Sequence, residues 1–368
     1  MRRCLPSLLL AAACVGMWFV PTPRLLSETS ADVFSSRAKV VAVDDSGLER
    51  HGLIEFGTQK LTVELPDGTR REALNELRAQ LELDKRFAPG DTALVVSGGG
   101  ADDPLVARDH WRFGWLAVLF GAFCVLLVAF GGWTGLKALF SFAFSCFAVW
   151  KLLIPLCLRG WSAGWTSFLC VSVLTAVIMH LVAGWTRKGA VAFFGAMLGV
   201  VVSLGLADFF AAVLRVNGAT MPFVQTLIYS GFERLDLGDI FTGAVILASS
   251  GAVMDLAMDI ASATEEVVRH HPGLSRGELL RSGLRVGRSV VGTMTTTLLL
   301  AYSGGYLTLL MVFAAQGTRL SDILNSTLVS TELVKTLVGS FGLVLVAPFT
   351  ALVAAVAYSK SALEGSAA

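Results

Sequence analysis

The sequence predicts a mainly α fold: a polytopic transmembrane helix bundle of about eight spans, with a small exported β-rich domain between the first and second spans. Three observations carry this. Of 368 residues, 54% are hydrophobic and only 15% charged, with a mean hydropathy of +0.68, whereas soluble domains carry about 25% charged residues. From Phe113 onward the chain is a succession of apolar runs, each near the ~20 residues that cross a hydrocarbon core. Residues 24–112 break that pattern. They hold 12 Lys and Arg against 16 Asp and Glu, a local net of −4 in a chain of net +1. The predicted organisation is an N-terminal anchor or signal at 1–23, an extracytoplasmic β-rich domain at 24–112, a helix bundle at 113–358 and a cytoplasmic tail at 359–368.

Taken in order, residues 1–23 pair a basic start, Arg2-Arg3, with an apolar run from Leu5 to Val20, which has the layout of a signal or anchor. Apolar residues continue past the small residues Ala11–Ala13, which favours an uncleaved anchor over a cleaved signal peptide. In the polar region, Lys39–Val43, Gly52–Phe56, Lys60–Leu65 and Asp91–Ser97 read as strands. Leu61, Val63 and Leu65 fall on one side and Thr62 and Glu64 on the other, the period-two alternation of a half-buried strand. Pro66-Asp67-Gly68 is a turn, because proline presets φ and glycine accepts a positive one. Within Arg70–Leu83, Leu74, Leu77 and Leu81 recur at helical spacing, which predicts a short helix. Gly98–Gly100 and Asp102-Asp103-Pro104 read as a linker. The expected domain is barrel-like and carries no catalytic constellation.

The spans are predicted at 5–22, 113–131, 138–158, 165–185, 189–213, 239–261, 289–315 and 333–358. Tryptophans stand at several ends (Trp111, Trp115, Trp133, Trp161, Trp165, Trp185), as interfacial anchors do. Arg and Lys cluster in alternate connections: Arg2, Arg3, Lys137, Arg187, Lys188, Arg269, Arg276, Arg281, Arg285, Arg288 and Lys360 on one side, and fewer on the other. The positive-inside rule then puts both termini in the cytoplasm of a bacterial cell. Pro222–Gly231 is too short to span, so it is an interfacial helix or a re-entrant piece. Pro272-Gly273 ends a helix, and Ser275 with Glu278 begins the next as a capping box.

Candidate functional residues lie inside the apolar runs. Asp255 and Asp259 are four apart, one turn along a single helix face, and Ser262 and Glu266 continue that face. An ionised carboxylate at the centre of a span costs about 3 kcal/mol or more. These positions therefore read as a polar seam inside the bundle, or as a clamp between helices. Small residues around them, Gly251, Ala252, Ala257 and Ala261, admit a close neighbour. Thr293 and Thr295, with Thr296 and Thr297, form a hydroxyl patch at the start of the next span. Carboxylate and hydroxyl oxygens suit Na⁺ or a proton rather than a soft metal. Glu332 and Lys335 are spaced to pair, and His180 reads as a hydrogen-bonded packing residue. No metal, cofactor or catalytic motif is present: the adjacent His270 and His271 point apart on a helix with no third ligand, and the six cysteines all lie in apolar segments. No basic face with interleaved aromatics supports nucleic-acid binding.

Several ordered patterns resemble the YibE/F family of bacterial multi-pass membrane proteins. They are Gly251-Ala252-Val253-Met254-Asp255 with Met258, Ile260-Ala261-Ser262-Ala263 and Glu266; Gly287-Arg288-Ser289 and Gly292-Thr293-Met294-Thr295 leading into Thr297–Tyr302; Glu332-Leu333-Val334, Leu337–Ser340, Gly342–Leu345 and Pro348; and Gly131-Gly132-Trp133 with Gly135-Leu136-Lys137. The chain departs from the family pattern at Asp259, where the pattern has Ser or another small residue. The resemblance implies architecture and a membrane location rather than a substrate.

Two functions fit. The first is a transporter or exporter component that uses the Asp255 seam. The second is a non-transporting envelope assembly or sensing component whose outer β domain binds a partner. No enzyme activity is expected. The expected partners are the lipid bilayer and a related membrane protein or a second copy of the chain.

Overall fold

The computed structural model describes residues 34–80, 83–97, 105–271 and 273–359. The expected N-terminal anchor, the linker glycines, Pro272 and the tail from 360 lie outside the described residues. The chain divides into two compact units, one containing residues 24–130 and the other residues 131–368.

The first unit opens with six strands: β1 (Phe34–Asp44), β2 (Leu48–His51), β3 (Ile54–Glu64), β4 (Arg70–Arg78), β5 (Thr92–Ser97) and β6 (Leu105–His110). The order β1-β5-β6-β4-β3, with β3 pairing again to β1, closes a five-stranded barrel, and β2 folds back on β3 as a hairpin. β4 and β6 run parallel and the other pairs antiparallel, a Greek-key closure of the OB type. The expected alternation holds: Leu61, Val63 and Leu65 point inward with Val40, Ala73, Val95 and Leu105.

The expected helix at 70–83 is instead β4. Its inward positions are Ala73, Asn75 and Leu77. The apolar set is broken by a buried amide, so the helical spacing of the leucines was misleading. Asn75 is accommodated because Gln59, fully buried, accepts from its Nδ2 at 3.0 Å and from Phe87 N at 3.1 Å. Gln59 Nε2 donates to Asp45 Oδ1 at 2.8 Å and to Phe87 O at 3.0 Å. Every polar atom of that amide is used, which is what makes its burial affordable. The network also ties the connection before β5 to the barrel. β6 lies within the predicted β-rich domain, in residues where the sequence pattern predicts no strand.

Ten helices follow: α1 (Phe113–Ala148), α2 (Ile154–Leu158), α3 (Ala163–Ala183), α4 (Arg187–Val213), α5 (Val224–Tyr229), α6 (Leu237–His270), α7 (Arg276–Gly305), α8 (Leu307–Ala315), α9 (Leu320–Asn325) and α10 (Thr327–Ala357), with a π-helical turn at Val149–Leu153 joining α1 to α2. Among the described residues, five runs are long and apolar enough to cross a membrane, or six when α7 and α8, bent by 66°, count as one broken span. Every described helix follows the barrel, so among the described residues the barrel precedes the spans rather than lying between two of them. The two spans expected at 113–131 and 138–158 are one 46-residue run, Phe113–Leu158, interrupted at Gly132 (φ 53, ψ −127). The sequence between them has no proline or polar turn to end a helix. One glycine in a left-handed conformation supplies the break instead.

In the second unit α4, α6 and α10 pack on one another, α3 lies against α4 and α6, and α7 lies against α6 and α10. The contacts run through small residues. A Cβ on Gly195 would sit 2.9 Å from Thr350 Cα, and one on Gly287 would sit 2.8 Å from Ala347 Cβ. Helices with such small residues at the crossing approach until backbones nearly touch, the usual basis of helix association in lipid.

Candidate functional site

The seam on α6 comes first. Val253, Leu256, Ala257, Ile260 and Ala261 of that helix are buried in the bundle core. Asp255 and Asp259 stand on the other side, exposed on the surface of the single chain, in a stripe that continues up the helix through Gly251, Ala248 and Ala244. The cause is helical period: once the apolar positions take the core, residues four apart between them face outward together. Neither carboxylate takes a hydrogen bond or ion pair among the described residues. Ser262 is half-buried. Glu266, exposed, accepts from Arg269 and, at 2.8 Å, from His270. The seam therefore changes character along its length, from two unpaired carboxylates at mid-helix to a paired one near the end.

The hydroxyls of α7 divide as well. Thr293 is exposed and donates to Val290 O at 2.9 Å, while Thr296 and Thr297 donate to Gly292 O and Thr293 O. Their oxygens keep lone pairs free but spend their protons on the helix backbone. Thr295 Oγ1 is buried with no hydrogen-bond partner among the described residues, as is Tyr302 Oη seven residues on. The entry to α7 is the expected capping box: Ser275 Oγ accepts from Glu278 N, and Glu278 Oε2 accepts from Ser275 N at 2.8 Å. Arg281, Arg285 and Arg288 are exposed above it. Among the described residues, no group of three His, Cys, Asp or Glu is placed to hold a metal ion.

A family model for YibE/F-like proteins matches residues 119–360. The chain belongs to the YibE/F-like family. Both aspartates, the threonine patch and the Glu332–Lys335 pair fall within the matched part of this YibE/F-like protein. No curated protein and no solved structure matches the chain significantly.

Sequence reasoning passed over a second polar group of the YibE/F-like bundle. Asp239, at the start of α6, accepts from the Ala163 and Gly164 amides and from Ser162 Oγ at 3.1 Å. It thus caps the N-terminus of α3, where unpaired N–H groups and the helix dipole favour a negative charge. Asp236 caps α6 itself, accepting from Gly238 N at 2.9 Å, and Asp208 of α4 accepts from Thr242 Oγ1 at 2.8 Å. The three carboxylates line one open cavity of about 510 Å³. The only sequence signal was Asp236 and Asp239 flanking an apolar piece, and nothing local announces that one of them reaches a different helix. At the turn between α3 and α4, an apolar cleft of about 300 Å³ is lined by His180, Trp185, Phe193 and Phe194. His180 packs on Trp185 with centroids 4.6 Å apart and rings tilted by 52°, and its Nδ1 has no hydrogen-bond partner among the described residues, contrary to the expected hydrogen-bonded role. Glu332 and Lys335 do pair.

Proposed function

We propose that this YibE/F-like chain is a non-enzymatic component of a transporter or exporter in the bacterial cell membrane, with Asp255 and Asp259 taking up a proton or Na⁺ during transport. The observation that carries this is the absence of a partner. Two carboxylates one turn apart, in the middle of a 34-residue apolar helix, take no ion pair or hydrogen bond among the described residues. A group so placed is protonated, hydrated or bound to a cation. Thr293 offers hydroxyl oxygen on the next helix. With the run Phe113–Leu158 crossing once on each side of the Gly132 break, the distribution of Arg and Lys supports both termini in the cytoplasm and the barrel outside.

The test is ion or proton flux in proteoliposomes. Asp255→Asn is expected to abolish flux while leaving the protein folded, and Asp259→Asn to weaken it. Unchanged flux in Asp255→Asn removes the reading.

A second reading rests on the barrel, which closes on itself with its own core. There the chain is an assembly or sensing component whose barrel binds a partner. Deleting residues 34–110 would then abolish function while Asp255→Asn altered only stability, the reverse of what a flux role requires.

A further inference from the structure

The barrel exposes apolar side chains at one place the bundle chemistry does not use. At the tip of the β2–β3 hairpin Leu53 is 82% exposed, with Ile54 at 39% and Phe56 at 38%. The tip is built to project. Gly52 (φ 65) begins a two-residue turn closed by the His51–Ile54 pair, the glycine-first turn that matches strand twist. Arg50 Nε braces it by donating to Gly52 O at 3.1 Å. Phe56 stacks on His51 with centroids 5.5 Å apart. Farther along, the outward positions of β3 and β4 carry Lys60, Thr62, Glu64, Glu72 and Glu76, the ordinary surface of a barrel in water.

Strand direction shows toward which end of the barrel this tip points. β6 pairs in parallel with β4, Val106 beside Leu74. Four residues on, the two strands reach His110 and Arg78. Arg78 pairs with Phe56 on an antiparallel strand, so the end of β6 points the same way as the start of β3 at Phe56. The turn at Leu53 lies three residues beyond, about 10 Å at strand rise. From His110 the chain has only Trp111 and Arg112 before α1 begins at Phe113, and α1 carries exposed Phe113, Trp115, Leu116 and Leu119 in its first two turns. The apolar tip and the entry of the first described span are therefore at the same end of the barrel. The Pro66–Thr69 turn is at the other.

We propose that the β2–β3 hairpin inserts Leu53, Ile54 and Phe56 into the interfacial layer of the same bilayer that α1 enters. Amphipathic elements at a membrane surface bury their apolar side about 5–10 Å into the headgroup and acyl boundary, which matches the projection of the tip. The insertion gives the barrel a second attachment besides the chain itself, so it is held against the membrane instead of swinging on two residues. This rests on α1 being a span, but not on transport.

The experiment uses the full-length protein in phosphatidylcholine and phosphatidylglycerol vesicles. Its six native cysteines are replaced by alanine, and one environment-sensitive fluorophore is attached at Leu53→Cys, Pro66→Cys or Val125→Cys. Lipids bearing a doxyl quencher are expected to quench the label at position 53 several-fold more than the label at 66, with position 125 quenched as a span should be. Quenching at 125 with water-like emission at 53 overturns the hairpin insertion while leaving the span intact. Water-shielded emission at 53 that lipid quencher does not reduce means that protein covers the tip, and also overturns it. Absence of quenching at 125 overturns the span reading and the insertion with it.

Discussion

The barrel and the bundle of this YibE/F-like protein sort their residues by different rules. In the barrel, Leu61, Val63, Val95 and Phe87 are inside and Lys60, Glu72 and Glu76 outside. Water rewards that division at about 25 cal/mol per Å² of apolar surface buried. In the bundle, Ala192, Ala196, Ala257, Ala261, Ala347 and Ala351 are inside beside Phe241, Leu256, Ile260 and Leu343, while Trp165, Leu169, Phe194, Leu337, Phe341 and Leu352 are outside. Lipid tails are as apolar as leucine, so hydrophobicity no longer chooses a side; closeness of approach does. The comparison teaches that one side chain has different worth in the two units. A large apolar residue stabilises the barrel only from within, whereas in the bundle large apolar residues stand on both sides and small ones set how closely helices approach.

The comparison can be broken or sharpened by substitution. The largest effect is expected in the barrel from Gln59→Leu. It makes the core more apolar but strips Phe87 N of its acceptor and Asn75 Nδ2 and Asp45 of a partner. A loss of about 3 kcal/mol follows, read as cleavage at lower urea in pulse proteolysis of the barrel. Gly195→Ala is next. One methyl group has to fit where Thr350 Cα is 2.9 Å away, so α4 and α10 must separate, at a cost of about 2 kcal/mol. Gly251→Ala in the same bundle has nothing within 4 Å, and it should change stability by less than about 0.5 kcal/mol. Detergent unfolding of the two variants side by side is the check, and equal effects would remove the packing argument. Asp239→Ala uncaps α3 and should cost about 1 kcal/mol.

The smallest effect separates the units by pH. Hydrogen bonds from Gln59 and then from Arg86 hold the Asp45 carboxyl below the usual carboxylate range. A depressed folded-state pKa stabilises above the unfolded value and is lost as pH falls through the folded one. Barrel stability should therefore drop more steeply below about pH 4 than it does in Asp45→Asn. Titrating urea midpoints for both proteins tests this, and identical acid slopes would show that the network does not reach Asp45.

Much of this architecture is written in the chain. Hydropathy marked the apolar runs because a bilayer imposes a length on them, and the runs at 165–185, 189–213 and 333–358 recur as α3, α4 and α10 within a few residues. Alternation at Leu61, Val63 and Leu65 marked a strand because one face of a barrel is wet. The Ser275–Glu278 cap was visible because both partners lie within one turn. The pairing of Asp255 with Asp259 along one face was legible from a spacing of four. What that face meets was not, since every position on an apolar helix looks alike until neighbouring helices choose their sides. The burial of Gln59 and Asn75, the reach of Asp239 to α3, and the common direction of the β2–β3 hairpin and the end of β6 each join residues far apart in sequence. No local pattern encodes them; strand register and helix packing decided them, because a hydrogen bond or a close approach exists only once the distant partner is in place.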